Sequence, residues 1–390
     1  MLKKLALYGF DKESLDFFKS YLNERKQRVQ VESKISEPIE IGDIAVPQGS
    51  VMGGLFFIIF QNDFPANSEE EESILYADDD TDNVHHSDPD ILENLLQIQA
   101  NKSTDWISDN KMVFSGEKTK LLVVGTQDLR NKKLTSQNKV LKVQVGENTV
   151  YESKNEKLLG IIVSNDLTWK VHLYGNGETG PNKIIGLIPK LFQRVGILTK
   201  LHKVMSSFQF KNACEGMFYS KLINCLQLFA NVFDINQNDD TERRFSAFTK
   251  QDNRRLQVLQ NRILRLKSGM GKDTPTKDLL AVTGDLSVQQ LTAYHTLMTV
   301  HRSITSGKPS YLAHQWKLKK PDRVQNIFPH RQLNTIEVNR ELSISRGGTI
   351  YRGAKLWNML PLKMRSENKV STFKRQLKKW VFEAIKIKPN

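Results

Sequence analysis

Cysteine is scarce in this sequence. The 390 residues contain two cysteines, Cys214 and Cys225, with no CxxC pair, and no histidines stand at metal-ligand spacing. Disulfide-stabilised secreted domains and structural zinc sites both need more cysteine or histidine, at regular spacings. The sequence therefore argues against both classes and predicts two buried thiols.

Long hydrophobic runs are missing as well. The longest apolar run, residues 51–60, is interrupted by glycines and is about half as long as the ~20 residues of a membrane-spanning helix. The first ten residues, MLKKLALYGF, contain no sustained apolar stretch and no small-residue cleavage site, which is unlike a signal peptide. We expect an intracellular protein without a membrane segment, and both the nucleus and the cytoplasm remain open.

The signatures of several enzyme classes are also absent. The sequence has no Walker-type phosphate loop, no dinucleotide-binding fingerprint and no Ser–His–Asp order. Each of these motifs places particular residues where its chemistry needs them. The sequence therefore does not support nucleotide hydrolysis by a P-loop, hydride transfer on a dinucleotide fold, or serine hydrolase chemistry.

Basic residues are missing from one long segment and abundant in another. Residues 51–100 contain twelve Asp and Glu and no Lys or Arg. Residues 1–180 hold 20 basic and 29 acidic residues, whereas residues 181–390 hold 37 basic and 14 acidic ones. This asymmetry fits a protein that gathers cations in one region and polyanions in another. The alternative for any single charge run is an ordinary solvated loop or helix face.

Hydrophobic periodicity predicts a mixed α and β chain up to about residue 175. Residues 11–29 show helical spacing after a candidate N-cap, Asp11, and the turn PQGS at 47–50 can start a helix through residues 51–64. A long amphipathic helix is expected from Pro89 to Asn110. Short strands surround these helices: KLLVVG (120–125) is expected to be a buried strand, and KLLGIIVSNDLTW (157–169) to supply one more. Helices dominate after the glycine-rich stretch 174–183, among them NRRLQVLQNRILRLKSG (253–269), where Gly269 is the stop signal.

The acidic run LYADDDTDN, residues 75–83, is the most unusual local feature. It follows a short strand, SILYA, which places Asp78 and Asp79 at or near a hairpin turn. Adjacent carboxylates repel one another and need either open solvent or a cation. Mg²⁺ is a natural candidate because it is commonly held by one or two carboxylates, with water and phosphates completing its shell. For this run alone, a solvated acidic turn is the favoured interpretation.

The neighbouring motifs change that interpretation. Four motifs follow one another along the chain: AVPQGSVMGGLFFIIFQNDF (45–64), ILYADD (74–79), WISDNKMVFSGEKTKLLVVG (106–125) and KLLGIIVSNDLTW (157–169). Their order and spacing resemble those of reverse transcriptases from non-LTR, LINE-type retrotransposons of the jockey kind. Three later segments resemble the C-terminal region of the same family: LQVLQNRILRL, GAKLWNMLP and STFKRQLKKW. The resemblance spans nearly the whole chain.

The resemblance implies an α+β fold: an incomplete right-hand polymerase palm followed by a mainly helical thumb and C-terminal region. Residues 1–127 would form the partial palm, and residues 128–180 its end, with primer-grip-like strands around Leu158–Gly160. Residues 181–390 would form the basic, mainly helical region. The implied partners are an RNA template, a DNA primer and deoxynucleotides, without a membrane; the oligomeric state stays open.

The resemblance also implies the roles of five residues. Asp78 and Asp79 would be catalytic ligands for Mg²⁺, which Mn²⁺ could replace, in a two-metal nucleotidyl transfer. Lys118, in GEKT, would neutralise or protonate the leaving phosphate. Gln48 and Gly49 would lie against the incoming nucleotide and the template.

The same resemblance predicts a defect. The family carries a further metal-bridging aspartate on a strand that precedes the equivalent of KLALYGF, and we expect that strand to be missing. The chain would then be an N-terminally truncated reverse transcriptase without activity of its own.

Two alternatives remain open at this stage. One is a non-catalytic nucleic-acid-binding remnant that uses the basic C-terminal half, and the other is a decayed reading frame. Trp316, Trp357 and Trp380 could stack on bases, although packing between helices is favoured. His85 and His86 are expected to be exposed rather than metal-bound.

Overall fold

The computed structural model divides the chain into two compact units, residues 1–153 and residues 154–390. The structure describes residues 1–41, 46, 49–64, 72–113, 115–125, 127–134, 139–232, 248–318, 334–337 and 348–385. Within these ranges, no helix is both long and apolar enough for a membrane span.

The first unit begins with a small cluster of helices. These are α1 (Leu2–Leu7), α2 (Lys12–Leu22) and α3 (Val51–Gln61), and their core is formed by Leu5, Phe18 and Phe56. Asp11 caps α2 by accepting from the Ser14 N–H, and Ser50 caps α3 in the same way. Such caps satisfy N–H groups that have no partner within the helix. Four two-residue strands lie between α2 and α3: β1 (Lys26–Gln27), β2 (Gln30–Val31), β3 (Lys34–Ile35) and β4 (Ile39–Glu40).

Lys4 joins this helical cluster to the following helix. Its ammonium donates to the Phe60 carbonyl at 2.6 Å and to the Asp63 carboxylate at 2.8 Å, and it lies 4.8 Å from the centre of a Trp106 ring. The Trp106 indole N–H donates to the same Asp63 carboxylate at 3.2 Å. The half-buried Lys4 ammonium is thus paired with a carboxylate and lies over an aromatic ring. Both interactions offset the free-energy cost of removing the charge from water.

The remainder of the first unit combines a hairpin, a long helix and a small sheet. The elements are β5 (Glu72–Tyr76), β6 (Asp79–Asn83), α4 (Pro89–Asp109), β7 (Leu121–Leu122), α5 (Gln127–Lys133), β8 (Lys142–Val145) and β9 (Asn148–Ser153). β5 and β6 form an antiparallel hairpin, and β9 lies between β7, which is parallel to it, and β8, which is antiparallel. Leu92 and Leu96 of α4 pack on the apolar face of this three-stranded sheet.

The second unit opens with a hairpin and continues as helices. The elements are β10 (Asn155–Leu158), β11 (Ile161–Ser164), α6 (Lys170–Tyr174), α7 (Leu187–Leu201), α8 (Ser207–Cys214), α9 (Ser220–Leu222), α10 (Leu226–Phe229), α11 (Lys250–Ser268), α12 (Thr276–Thr283), α13 (Val288–Ser306), α14 (Ser310–Ala313), α15 (Thr349–Met359), α16 (Leu362–Arg365) and α17 (Val370–Ala384). A π-helical turn, Glu215–Tyr219, connects α8 to α9.

Two apolar cores hold the second unit together. The first gathers Leu191, Phe218, Leu256 and other buried side chains of α6 to α11. The second is built around Trp357 and Phe373, from α13, α15 and α17. Trp316 and Trp357 are buried in this second core, and Trp380 packs against it. Packing between helices, the favoured interpretation of these tryptophans, is therefore confirmed.

Most of the predicted elements are present. α4 ends at Asp109, one residue before the predicted end, and α11 stops at Gly269, which adopts the left-handed conformation typical of a helix C-terminus. Two predictions were wrong in detail. KLLVVG forms only the two-residue strand β7. KLLGIIVSNDLTW holds the end of β10 and all of β11 instead of one strand, because Leu159 and Gly160 both adopt positive φ and reverse the chain.

The fold class and the domain boundaries stay predictions. The described residues form a mixed α and β chain, and the division at Ser153 and Lys154 falls inside the predicted segment 128–180.

Candidate functional site

The aspartate triplet lies at the tip of the β5–β6 hairpin, as predicted. Tyr76 pairs with Asp79, which leaves Ala77 and Asp78 as a two-residue turn. Ala77 adopts a φ of 54°, a left-handed conformation that a non-glycine residue seldom takes. Both Asp78 and Asp79 are exposed to solvent. The tight turn therefore places two adjacent carboxylates at one end of the hairpin.

The next two carboxylates belong to the other face of the hairpin. Cross-strand partners share a face, and successive residues of a strand alternate between faces. Asp80 is opposite Leu75 and Asp82 is opposite Ser73. Asp80 and Asp82 therefore lie on one face of the hairpin, and Asp79 lies on the opposite face. The run of acidic residues is thus split between two surfaces.

Asp82 fixes the hairpin to helix α4. The Ser73 hydroxyl donates to one oxygen of the Asp82 carboxylate, and the Ser103 hydroxyl donates to the other at 3.2 Å. The Gln99 side-chain N–H contacts the Ser73 hydroxyl at 3.5 Å. Gln99 and Ser103 are both buried. A carboxylate whose two oxygens each accept a hydrogen bond is held in one orientation, so this network positions the hairpin.

Sequence reasoning missed this network, although a signal for it exists. Gln99, Ser103 and Trp106 recur at helical spacing on α4, and all three are buried. Polar residues on the buried face of a helix need hydrogen-bond partners from another element. The pattern therefore predicts a polar partner, but it does not say which strand supplies it.

Asp80 differs chemically from the two residues before it. The residue as a whole is exposed, yet its carboxyl group is partly removed from solvent. This desolvation, reinforced by the charge of Asp82, raises the pKa of Asp80 to about 7. Asp80 is therefore partly protonated near neutral pH and is a poorer cation ligand than a fully ionised aspartate.

Asp78 and Asp79 together suit Mg²⁺ as a donor set. They offer hard carboxylate oxygens in an open position, where water and phosphate oxygens can complete an octahedral shell. Over the described ranges, no group of three or more His, Cys, Asp or Glu side chains is arranged to hold a metal ion. His85 and His86, as predicted, are exposed.

The other predicted site residues are not brought to the hairpin by any described contact. Gly49 has a φ of 79°, which favours glycine, and Gln48 lies outside the described residues. Lys118 is exposed in a turn in which its backbone N–H donates to the Ser115 carbonyl. The described structure joins Asp78 to Asp79 through the hairpin turn, and their grouping with Lys118, Gln48 and Gly49 stays a prediction.

A second candidate site lies in the second unit and was not predicted. Lys157 is on β10, Lys190 and Arg194 are on α7, and Lys221 is on α9. Burial lowers the pKa of Lys190, and the charges of Lys157, Lys221 and Arg194 lower it further. Lys190 and Arg194 are one turn apart on α7, α9 packs on α7, and Lys157 lies within electrostatic range of Lys190. Sequence periodicity could not reveal them, because they come from three elements that are distant along the chain.

A buried histidine adjoins this cluster. His172 is 5% exposed, and its Nδ1 accepts a hydrogen bond from the Ile162 backbone N–H at 3.2 Å. Burial, together with the charge of Lys190, lowers the pKa of His172 to about 4. The ring is therefore neutral at physiological pH, with its proton on Nε2. Within the described structure, this Nε2 atom has no hydrogen-bond partner.

Comparison of the chain with protein-family models, with curated proteins and with solved structures found no match.

Proposed function

We propose that the chain is a reverse transcriptase-type polypeptide in which the β5–β6 hairpin holds a catalytic Mg²⁺ ion. The observation that carries the proposal is the exposed Asp78–Asp79 pair at the tip of a tight hairpin. The hairpin lies between the PQG and GEKT motifs, in the order that the resemblance requires.

Each residue then has a defined task. Asp78, in the turn, and Asp79, at the start of β6, would hold the ion. When bound, Mg²⁺ supplies charge neutralisation for phosphoryl transfer to a primer 3′ hydroxyl. Asp82 acts as a positioning residue, because its bonds to Ser73 and Ser103 fix the hairpin on α4. Lys118 would offset the negative charge of the leaving phosphate.

Activity of the chain on its own is expected to be weak or absent. Two-metal transfer uses more ligands than a pair of carboxylates, and the described residues group no third acidic or histidine ligand with Asp78 and Asp79. We therefore propose that the hairpin retains metal binding while nucleotidyl transfer is impaired.

A primer-extension assay and a metal-binding assay separate these two properties. Extension of a DNA primer on an RNA template is measured in Mg²⁺ and in Mn²⁺, with Asp78→Ala as the test variant and the exposed Asp16→Ala as its matched control. In parallel, Fe²⁺ placed in the metal site reduces added hydrogen peroxide to hydroxyl radicals, with ascorbate to recycle the iron, and these radicals cleave the chain nearby. We expect little extension, and cleavage around residues 76–80 that Asp78→Ala abolishes.

Two outcomes would contradict this proposal. Robust extension that requires Asp78 would show that the chain is an active enzyme. Absence of cleavage near the hairpin in the unsubstituted chain would show that Asp78 and Asp79 do not bind a metal ion.

A second candidate function is nucleic-acid binding without catalysis. It is favoured by the charge of the second unit, since residues 154–390 hold 40 Lys and Arg against 17 Asp and Glu. Contacts between cations and phosphates release counterions, so affinity should fall steeply as salt rises. A filter-binding titration of the full chain with RNA at several salt concentrations tests this. Binding that is undetectable, or insensitive to salt, would exclude it.

A further inference from the structure

Four cations converge on one place in the second unit without a carboxylate partner. Lys190, Arg194 and Lys221 are partly buried, and Lys157 is exposed at the edge of the group. In the described part of the chain, no Asp or Glu forms an ion pair with any of them. We call Lys157, Lys190, Arg194 and Lys221 the basic cluster.

The fold holds the basic cluster in place. Lys190 and Arg194 are four residues apart on α7, so they share one face of the helix. The Arg194 guanidinium donates to the Met217 carbonyl in the π-helical turn, four residues before Lys221. On the other side, Lys157 is the register partner of Ile162, whose N–H donates to His172.

A close contact at Gly160 adds to this rigidity. The turn of the β10–β11 hairpin lies against the segment that follows Lys221, because a Cβ atom on Gly160 would be 3.2 Å from the Asn224 side chain. The turn of the hairpin that carries Lys157 therefore meets the segment that follows α9, and α9, which carries Lys221, packs on α7.

The arrangement works against stability. Like charges that are held together raise the free energy of the folded state. Lys190 also belongs to the first turns of α7, where the helix dipole is positive and cations are unfavourable. Folding alone does not account for such a group, whereas a bound anion would turn the repulsion into attraction.

A buried histidine lies beside Lys190. Its Nδ1 is occupied as an acceptor, which leaves Nε2–H as a buried donor without a partner in the described structure. A buried donor without an acceptor is costly. The ring lies in the core, with its centre 4.8 Å from that of the Phe229 ring, next to the positive charge of Lys190.

We propose that the basic cluster binds phosphate groups of a nucleic-acid backbone. A polymer is favoured over a small anion because the cations are spread over three elements, of which Lys157 lies at the exposed edge, and because the whole unit is strongly basic. The guanidinium of Arg194 and the ammonium groups are the phosphate-binding groups that proteins commonly use. This inference rests on the nucleic-acid-binding function proposed above and assigns it to a defined site.

The test compares two charge-matched variants of the full chain. The cluster variant carries Lys157→Gln, Lys190→Gln and Lys221→Gln; Arg194 is kept because it bonds to the backbone. The control variant carries Lys203→Gln, Lys272→Gln and Lys277→Gln, three exposed residues of the same unit. Binding of a fluorescein-labelled single-stranded RNA is followed by polarisation over a salt series.

For single-stranded nucleic acid, the logarithm of affinity falls with the logarithm of salt concentration by about 0.7 per phosphate contact. Each contact therefore contributes roughly fivefold to affinity at 0.1 M salt relative to 1 M salt. The cluster variant should therefore bind about 100-fold more weakly, with the slope reduced by about 2. The control variant should change affinity by less than about fivefold. Equal losses in the two variants would overturn the proposal, although nucleic-acid binding itself would stand. No binding by the unsubstituted chain would overturn both.

Two further measurements do not depend on how the variants fold. Labelling with an amine-reactive ester is followed at each lysine, including Lys190, whose pKa is lowered by burial and by the neighbouring cations. RNA should protect Lys157, Lys190 and Lys221 from labelling, and should protect Lys203, Lys272 and Lys277 less; equal protection of both sets contradicts the proposal. Inorganic phosphate serves as the competing small anion. If millimolar phosphate displaces RNA and protects the cluster fully, the site takes a small anion instead of a backbone.

Discussion

The pH dependence of stability is expected to report on His172. Burial, with the charge of Lys190, lowers its pKa from 6.5 to about 4, so the unfolded chain binds a proton that the folded chain does not. Stability from this residue is fully present above pH 6.5 and is lost as the pH falls towards 4, by up to roughly 3 kcal/mol. Urea unfolding at pH 7 and pH 4.5 measures the loss.

A variant isolates the contribution of His172. His172→Asn keeps an acceptor for the Ile162 N–H and removes the titrating ring, so the difference between the two pH values should shrink. His85→Asn, at an exposed position, should leave the difference unchanged. Burial also lowers the pKa of His295 and of His301, and their share of the pH dependence should remain. An unaltered difference in His172→Asn would contradict the assignment.

Two glycines of the second unit should respond in opposite ways to the same substitution. A Cβ atom on Gly186 would lie 2.4 Å from the Gly175 backbone nitrogen, whereas a Cβ atom on Gly196 meets nothing within 4 Å. Gly186→Ala should therefore destabilise the protein by about 1–3 kcal/mol through overlap with backbone. Gly196→Ala, inside α7, should stabilise it by about 0.5–1 kcal/mol. The midpoints of denaturant unfolding measure both changes. Similar shifts in the two variants would show that Gly186 does not closely approach the backbone of Gly175.

At the scale of elements, the start of α11 depends on one buried carboxylate. Asp252 accepts from both the backbone N–H and the hydroxyl of Thr249, each at 2.7 Å, and from the Tyr174 hydroxyl of α6. Asp252→Ala removes half of a capping box and the link to α6, and should cost about 1–3 kcal/mol. Asp273→Ala, at an exposed loop position, is the matched control and should cost less than about 0.5 kcal/mol. Equal shifts of the unfolding temperature in Asp252→Ala and Asp273→Ala would refute the role of Asp252 as a helix cap.

Helices α4 and α11 show what periodicity predicts well. Their apolar residues recur at helical spacing, and a Pro or a glycine marks the boundary: Pro89 begins α4, and Gly269 follows α11. These signals are local, so one sequence is sufficient to interpret them. The strand β7 and the hairpin β10–β11 were predicted less accurately, because a short apolar run does not reveal its length or its turn without its pairing partners.

At the scale of the whole molecule, the basic second unit is expected to be sensitive to salt. Residues 154–390 carry a net charge of +23, and residues 1–153 a net charge of −9. Repulsion among the positive charges destabilises the compact state and is screened within about 10 Å at 0.1 M salt. Raising NaCl from 20 to 200 mM should therefore raise the unfolding temperature by about 2–4 °C. A neutral osmotic control, glycerol at equal osmolality, should not reproduce the shift.

A polyanion should act more strongly than simple salt. Heparin binds the folded, clustered cations better than the extended chain, so its stabilisation should exceed that of NaCl at the same ionic strength. An unfolding temperature that does not respond to either would contradict the electrostatic account of the second unit.

The sequence by itself determined the hairpin position of Asp78 and Asp79, the main helices and the opposite charges of the two halves. These properties follow from spacing and composition along the chain, which a single sequence contains. Tertiary structure alone decided that Asp82 is held by Ser73 and Ser103, and that Lys157, Lys190, Arg194 and Lys221 lie together. Both groups join residues from elements far apart in sequence, and only the folded chain brings their side chains within bonding or Coulombic range.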